Sequence, residues 1–447
     1  MQQFDKIHAY SKLVCDQIRW KKAQPVIAEE IENHLIDQKE VYMADNMDEE
    51  TATAEAIQQM GDPVQVGTEL DRVHRPKPEW NIIILTMVAL MLGIGIKIFI
   101  TNSGDFIEPK NAIIAGVIGI VFMVGAYFAD YTIIGKFPKT FYFTILIITI
   151  FLRVTSNIRD YYYAQYAVLL FPLAYAAFVY SMRGKGYWSL ILSGIAYGLL
   201  VYVAFLIPSF SQFVIITLSG LVIFCFAIQK GWFKIHKLCG YLMIAVPVFL
   251  AAMISKDYIW GQLKIALHPE LEAQGTGYIN LLVKDILKNS KFISNGEMSK
   301  TYFPCMDTDY VLTYLIYQFG WISMILISVL LAAFIIFGFR LCLKQKSILG
   351  LLMSLSVMLI FTFQTVFYIL ANLGFIFTSF SLPLISYGCT ATIINMALIG
   401  VMLSVFKSGS IVKDKHFEKR TTKHMLISRK NGEFVISFKD HGGSVDV

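Results

Sequence analysis

The run Phe303-Pro304-Cys305-Met306-Asp307-Thr308-Asp309-Tyr310 closes a polar segment of some fifty residues and opens directly into an apolar run, Val311 to Phe339. Two carboxylates, Asp307 and Asp309, therefore stand where a long loop meets a bilayer. An ionised acid there costs free energy unless it is hydrated, paired or used, so both are candidates for chemistry. The competing role is structural: Asp and Thr cap helices, and an acid favours the positive end of the helix dipole. The same loop carries Lys264, Lys284, Lys288, Lys291 and Lys300. Lys284, Lys288 and Lys291 are spaced i, i+4 and i+7, which is one face if Ile279 to Phe292 is helical. That face suits either a phosphate group or plain solvent. Arg159, in another inter-span stretch, is a second candidate for an anionic group.

These residues must be positioned by membrane helices. The 447-residue chain is 56% hydrophobic and 16% charged, with a mean hydropathy of +0.59; soluble domains carry about a quarter charged residues. The composition predicts an all-α polytopic membrane protein. Runs near the ~20 residues that span a bilayer are expected at about 80–101, 111–129, 141–155, 166–182, 189–207, 213–229, 239–255, 310–339, 349–371 and 383–406, about ten in all. The first begins too late for a signal peptide. Ionisable residues in mid-span are almost lacking, which counts against a proton-coupled carrier. The six cysteines are scattered, with no CxxC pair or metal spacing, and only Cys305 lies in the long loop, so no disulfide is expected there.

Lys136 and Lys139; Arg183 and Lys185; Lys230, Lys234 and Lys237; and Arg340, Lys344 and Lys346 fall in alternate loops. The positive-inside rule places these loops in the cytoplasm, with both termini, and loop 256–309 outside. The exception is 153–165, whose Arg153 and Arg159 then fall outside; a paired or ligand-facing arginine would account for them.

Residues 1–77 form the first expected domain, with nine Lys/Arg against fifteen Asp/Glu. Ile27, Ile31, Leu35 and Ile36 recur at helical spacing. Asp48-Glu49-Glu50 open a second helix that Gly61-Asp62-Pro63 stop, and a third runs from Pro63 to His74. The pattern resembles the helical prefix domain of some bacterial permeases and signalling proteins. A membrane domain, 78–406, and a basic tail, 407–447, follow. In the tail, Phe434 to Phe438 alternates like a short strand. Anionic lipid accounts for the tail's basic cluster, and no nucleic-acid site is expected.

Three stretches resemble the SEDS family (shape, elongation, division and sporulation), which includes FtsW, RodA and SpoVE. Leu382-Pro383-Leu384-Ile385-Ser386-Tyr387-Gly388-Cys389-Thr390 is similar to its Pro-hydrophobic-Ile-Ser-Tyr-Gly-Gly-Ser/Thr hallmark, with Cys389 in place of the second glycine. Thr308-Asp309-Tyr310 heads a helix reaching Gly320, as the family's Thr-Asp-Phe helix does. Gln274-Gly275-Thr276-Gly277-Tyr278 matches its Gly-x-Gly-Tyr segment, and Leu206-Ile207-Pro208-Ser209 fits a Gln-Pro-Asp segment loosely, without the acid. Two features depart from the pattern. Tyr163-Ala164-Gln165-Tyr166-Ala167-Val168 stands where the family has Pro-Ser-Glu-x-x-Lys, and Tyr317-Gln318 replaces an acidic pair.

The resemblance implies a peptidoglycan glycosyltransferase that polymerises lipid II, working with a class B penicillin-binding protein as transpeptidase, in division, elongation or sporulation. It implies that Asp309 is the catalytic acid, positioned to take the acceptor hydroxyl's proton with a pKa raised by partial burial. Arg159, Lys264, Lys284, Lys288, Thr308, Gly275 and Gly277 are then substrate-binding candidates, and Pro383, Ser386, Tyr387 and Gly388 shape the break before the last helix. No resident cofactor is expected, and whether a divalent ion joins Asp309 is open. The missing Glu-Lys motif keeps a non-catalytic regulatory relative as an alternative, and the broken last helix keeps a lipid-precursor transporter as another.

Overall fold

The computed structural model describes residues 2–21, 23–76, 78–102, 110–155, 162–207, 209–242, 267–275, 277–294, 308–375, 380–385, 388–408, 424–430 and 433–439, with isolated positions between 245 and 265. The first four helices, α1 (Gln2–Asp16), α2 (Gln24–Ala44), α3 (Glu49–Met60) and α4 (Pro63–His74), pack around a core of their own built on Val14, Ile27, Ile31, Leu35 and Ala56. Their ends are set locally. The Asp48 carboxylate accepts from the Thr51 N–H (3.1 Å) and hydroxyl (2.6 Å) at the start of α3. Asp62 accepts from the Gln65 N–H (3.0 Å) ahead of Pro63 at the start of α4, where proline's fixed φ suits the first turn. The Tyr10 hydroxyl donates to the Gly61 carbonyl (3.0 Å) and ties α1 to the junction between them. The sequence predicts the last three helices but not α1.

The membrane domain is all-α. Its spanning helices begin with α5 (Trp80–Asn102), α6 (Lys110–Phe128) and, after the short α7 (Thr132–Lys136), α8 (Pro138–Thr155). A fourth span is composite: α9 (Tyr162–Ala167), a 3₁₀ turn (Val168–Leu170) and α10 (Phe171–Ser181). Helices α11 (Tyr187–Phe205) and α12 (Phe210–Gln229) follow. The loop helix α13 (Tyr278–Asn289) and α14 (Val311–Phe319) come next, then the spans α15 (Trp321–Leu343), α16 (Ile348–Asn372) and α17 (Cys389–Ser408). Among the described residues nine helices are long and apolar enough to cross a membrane. The expected span 239–255 lies largely outside the described residues.

One expectation is corrected. The run 310–339 is not a single span, because Gly320, at φ +89°, separates α14 from α15. The left-handed region costs L-residues about 1–2 kcal/mol and costs glycine little. Both flanks are apolar, so hydropathy alone joins them.

Helix α16 is the hub of the bundle. It shares one core with α5, α6, α14, α15 and α17, and its Leu352, Leu355 and Leu359 enter a second core with α8, α10, α11 and α12. In the tail, β1 (His424–Lys430) pairs antiparallel with β2 (Glu433–Lys439); the alternation at 434–438 predicts β2 but not β1.

Candidate functional site

Asp309 is half-buried, just before α14. Its neighbourhood is held by the far end of α16. Asn372 Nδ2 donates to the Asp309 carbonyl (2.9 Å) and, within its own helix, to the Tyr368 carbonyl (3.0 Å). Asn372 Oδ1 accepts from the Thr313 N–H (2.9 Å), and the Thr313 hydroxyl donates to the Asn372 carbonyl (2.9 Å). The Tyr368 hydroxyl accepts from the Leu312 N–H (3.4 Å). A helix leaves its first N–H groups without intrahelical partners; at Leu312 and Thr313 those groups are bonded across to α16. Two of the first N–H groups of α14 are thus capped from α16, by Tyr368 and Asn372.

Helix α13 lies over this end of the bundle. It buries Asn280 and Val283 and exposes Lys284 and Lys288, and the Lys284 stem passes beside Gly374, just beyond α16. The helix stops at Asn289, so the condition for a three-lysine face fails at Lys291, which lies beyond the helix. Instead the Lys291 carbonyl accepts from the Trp321 N–H (3.2 Å), the Phe292 carbonyl from the Ile322 N–H (3.3 Å), and the Ser294 N–H donates to the Phe319 carbonyl (3.1 Å). A Cβ at Gly320 would collide with the Phe292 carbonyl. The chain after α13 is therefore fastened to the break between α14 and α15.

Lys264 and Gly275 are exposed, and Gly277 is buried against the Pro269 carbonyl so closely that no side chain fits. Thr308 is half-buried beside Asp309. The Glu270 carboxyl is held below the usual carboxylate range by its own backbone N–H and by His268, with a smaller pull from Lys284. The charge of Lys284 thus partly faces Glu270. Arg159, Ser386, Tyr387, Asp307 and Lys300 lie outside the described residues. Arg153 Nε donates to the Leu206 carbonyl (3.1 Å), so that arginine is paired within the bundle.

Before the last helix, Pro383, Leu384 and Ile385 are buried in a turn, with Leu384 at φ +67°, and Gly388 precedes α17. The Tyr166 hydroxyl, from the opening of the fourth span, would lie 3.7 Å from a Cβ at Gly388. A groove of about 850 Å³ runs along Met87, Met91, Ile96 and Phe99 of α5 and ends against Leu315 and Phe319 of α14. The Phe99 and Phe319 rings meet there, 5.1 Å apart. Among the described residues no three His, Cys, Asp or Glu side chains are arranged to hold a metal ion.

The sequence reading passes over Asn372, Tyr368 and Lys97. Nothing near Asn372 in the chain marks it. Lys97 had a signal, since it is a lone cation inside the first apolar run.

The family model for the FtsW/RodA/SpoVE cell cycle proteins matches residues 164–410, more than half of the chain. The chain belongs to this family. Among FtsW/RodA/SpoVE proteins it is similar to the peptidoglycan glycosyltransferase MrdB of Escherichia coli (strain K12), at 24% identity, over 44% of this chain and 55% of that protein. It is also similar to the probable peptidoglycan glycosyltransferase FtsW of Enterococcus hirae, at 26% identity, over 54% of this chain and 63% of that protein. The chain spans about half to three-fifths of the length of these curated relatives. Two solved structures share the fold. One is a chain described under "Structural coordination of polymerization and crosslinking by a peptidoglycan synthase complex" (TM-score 0.58, 17% identity, 74% of this chain and 97% of that one). The other is the rod shape determining protein RodA of Thermus thermophilus (TM-score 0.52, 16% identity, 74% and 97%). The chain is a multi-pass membrane protein of the FtsW/RodA/SpoVE fold, a family of cell-wall synthesis.

Proposed function

We propose that this protein is a peptidoglycan glycosyltransferase that polymerises lipid II, with Asp309 as its general base. One observation carries the assignment of Asp309. The N–H groups of Leu312 and Thr313 are bonded to Tyr368 and Asn372, while Asn372 also grips the Asp309 carbonyl. Bonds from another helix thus fix the backbone at the position of the family's acid. The carboxylate takes the proton of an acceptor sugar hydroxyl as that oxygen bonds to the anomeric carbon of the donor and the lipid diphosphate leaves. In this reading both termini are cytoplasmic and loop 256–309 is outside. Residues 1–77 form a separate prefix domain, 78–406 the membrane domain and 407–447 the tail. The partner is a class B penicillin-binding protein.

Asn caps helices about as well as Asp but is no carboxylate base. Asp309→Asn is expected to leave expression and thermal stability unchanged and to lower lipid II polymerisation by roughly 100-fold or more, resolved as glycan products on a gel. Polymerisation at the parental rate removes Asp309 from catalysis. The absence of Glu and Lys at the fourth span's opening, where Gln165 and Tyr166 stand, favours a second reading, a regulatory relative without activity. That reading stands if the parental protein binds its partner but makes no glycan.

A further inference from the structure

Lys97 lies on α5 within the first span and is 2% exposed. Among the described residues it is the only buried charged side chain. Membrane-buried lysines are costly and mark ligand and ion pathways. Lys97 stands on the face of α5 opposite the apolar groove. One turn earlier on that face is Gly93, where a Cβ would lie 2.6 Å from the Leu384 carbonyl and 2.8 Å from that of Ile385. Helix α5 thus presses its backbone against the turn that precedes the last helix. Lys97, Ile385, Thr392 and Ala115 line a small cavity of about 20 Å³ there, room for roughly one water.

Two long helices start beside this cavity. Ala112 and Ala115 of its wall belong to the first turns of α6, and Thr392 to the first turn of α17. The Cys389 thiol donates to the Asn111 carbonyl at 3.6 Å, so the two helix starts adjoin. Each offers its positive end at the same place. Lys110 stands exposed at the α6 start and adds a second cation. On the other side of the same turn, Tyr166 faces Gly388. Tyr166 belongs to the stretch where this chain lacks the family's Glu and Lys.

We propose that Lys97 binds the diphosphate of the lipid-linked substrate, supplying from the first span the positive charge that the fourth span lacks. The inference rests on the glycosyltransferase reading above. The cavity is too small to admit a diphosphate, so the group sits at its mouth, and the long lysine stem carries the ammonium to it.

The test uses the full chain in nanodiscs with three probes: undecaprenyl diphosphate, undecaprenol and inorganic pyrophosphate. The variants are Lys97→Met, which keeps the length and loses the charge, and Lys97→Arg. Losing one charged contact is expected to weaken undecaprenyl diphosphate binding roughly tenfold or more. Lys97→Met should leave undecaprenol binding unchanged, and Lys97→Arg should restore most of the loss. Equal binding of undecaprenyl diphosphate by Lys97→Met and the parent overturns the proposal. So does an equal loss of undecaprenol, which would mark Lys97 as structural. Lys97-dependent binding of inorganic pyrophosphate with no gain from the lipid overturns the lipid-linked assignment. Polymerisation assays separate the two readings. A parent that makes glycan, with Lys97→Met unchanged in KM, sinks the Lys97 site and spares the glycosyltransferase. A parent that makes none, yet binds the diphosphate through Lys97, does the reverse.

Discussion

Helices α3 and α14 begin in opposite ways. The first turn of α3 is capped by the residue before it, Asp48, through the Thr51 N–H and hydroxyl. The first turn of α14 is capped from another helix, by Tyr368 and Asn372. A local cap forms with its own helix. A borrowed cap exists only when α16 is in place, so the start of α14 is a tertiary feature. The residue that lends the cap also holds the Asp309 carbonyl, so the backbone on both sides of the helix start is set by α16. In the N-terminal helices Asp48 and Asp62 cap the helices they precede; at α14 a distant helix holds the backbone on which Asp309 stands.

The largest break in this contrast is Asn372→Ala. It strips the Thr313 N–H and the Asp309 carbonyl of their partners, and an unsatisfied buried group costs about 1–3 kcal/mol. A loss of about 3 kcal/mol is expected, read as a lower melting temperature in detergent. Polymerisation should fall with it, because Asp309 loses its anchor. The double variant with Asp309→Asn should be no less active than Asp309→Asn alone, since the two act through one unit.

Gly320→Ala comes next. The left-handed backbone costs about 1–2 kcal/mol, and the added Cβ pushes off the Phe292 carbonyl. Hydrogen exchange is expected to rise in 291–294 and in the first turn of α15 while α3 is unaffected. Unchanged exchange at 291–294 would mean that the fastening seen there does not hold the loop.

The smallest effect lies in α3. The hydroxyl and N–H of Thr51 hold the Asp48 carboxyl below the usual carboxylate range. A depressed carboxylate stabilises the fold above its unfolded pKa, about 4, and that stabilisation is lost as pH falls through the folded value. Exchange from α3 is expected to speed up at acid pH relative to α14. Asp48→Asn should flatten this dependence, because the amide caps without titrating.

Legibility follows the same division. The caps at Asp48 and Asp62 lie within three residues of what they bind, so α3 and α4 are readable from the chain. The spans are readable because each is a long apolar run. The break at Gly320 is hidden because both sides are apolar, and no residue near α14 announces that Tyr368 and Asn372 will cap it. Asp309 itself is found through the Thr-Asp-Tyr match, not through any property that separates it from an ordinary cap. Lys97 is visible as a charge, but its place beside the turn at Leu384 and Ile385 depends on how α5 meets a segment from the far end of the chain.

Helix α6 shows little buried surface, and its closest neighbour is α17. At Gly400 a Cβ would strike the Met123 carbonyl, and at Gly119 it would come within 3.0 Å of Met396. The second span to be synthesised thus has the last as its mate. At roughly 5–20 residues per second of translation, α6 is inserted on the order of tens of seconds before α17 exists. Over that interval its glycine-lined seam faces lipid. A ribosome that stops short of Cys389 would leave behind a bundle whose second span never finds its seat, open to capture by any other helix with small residues along one side.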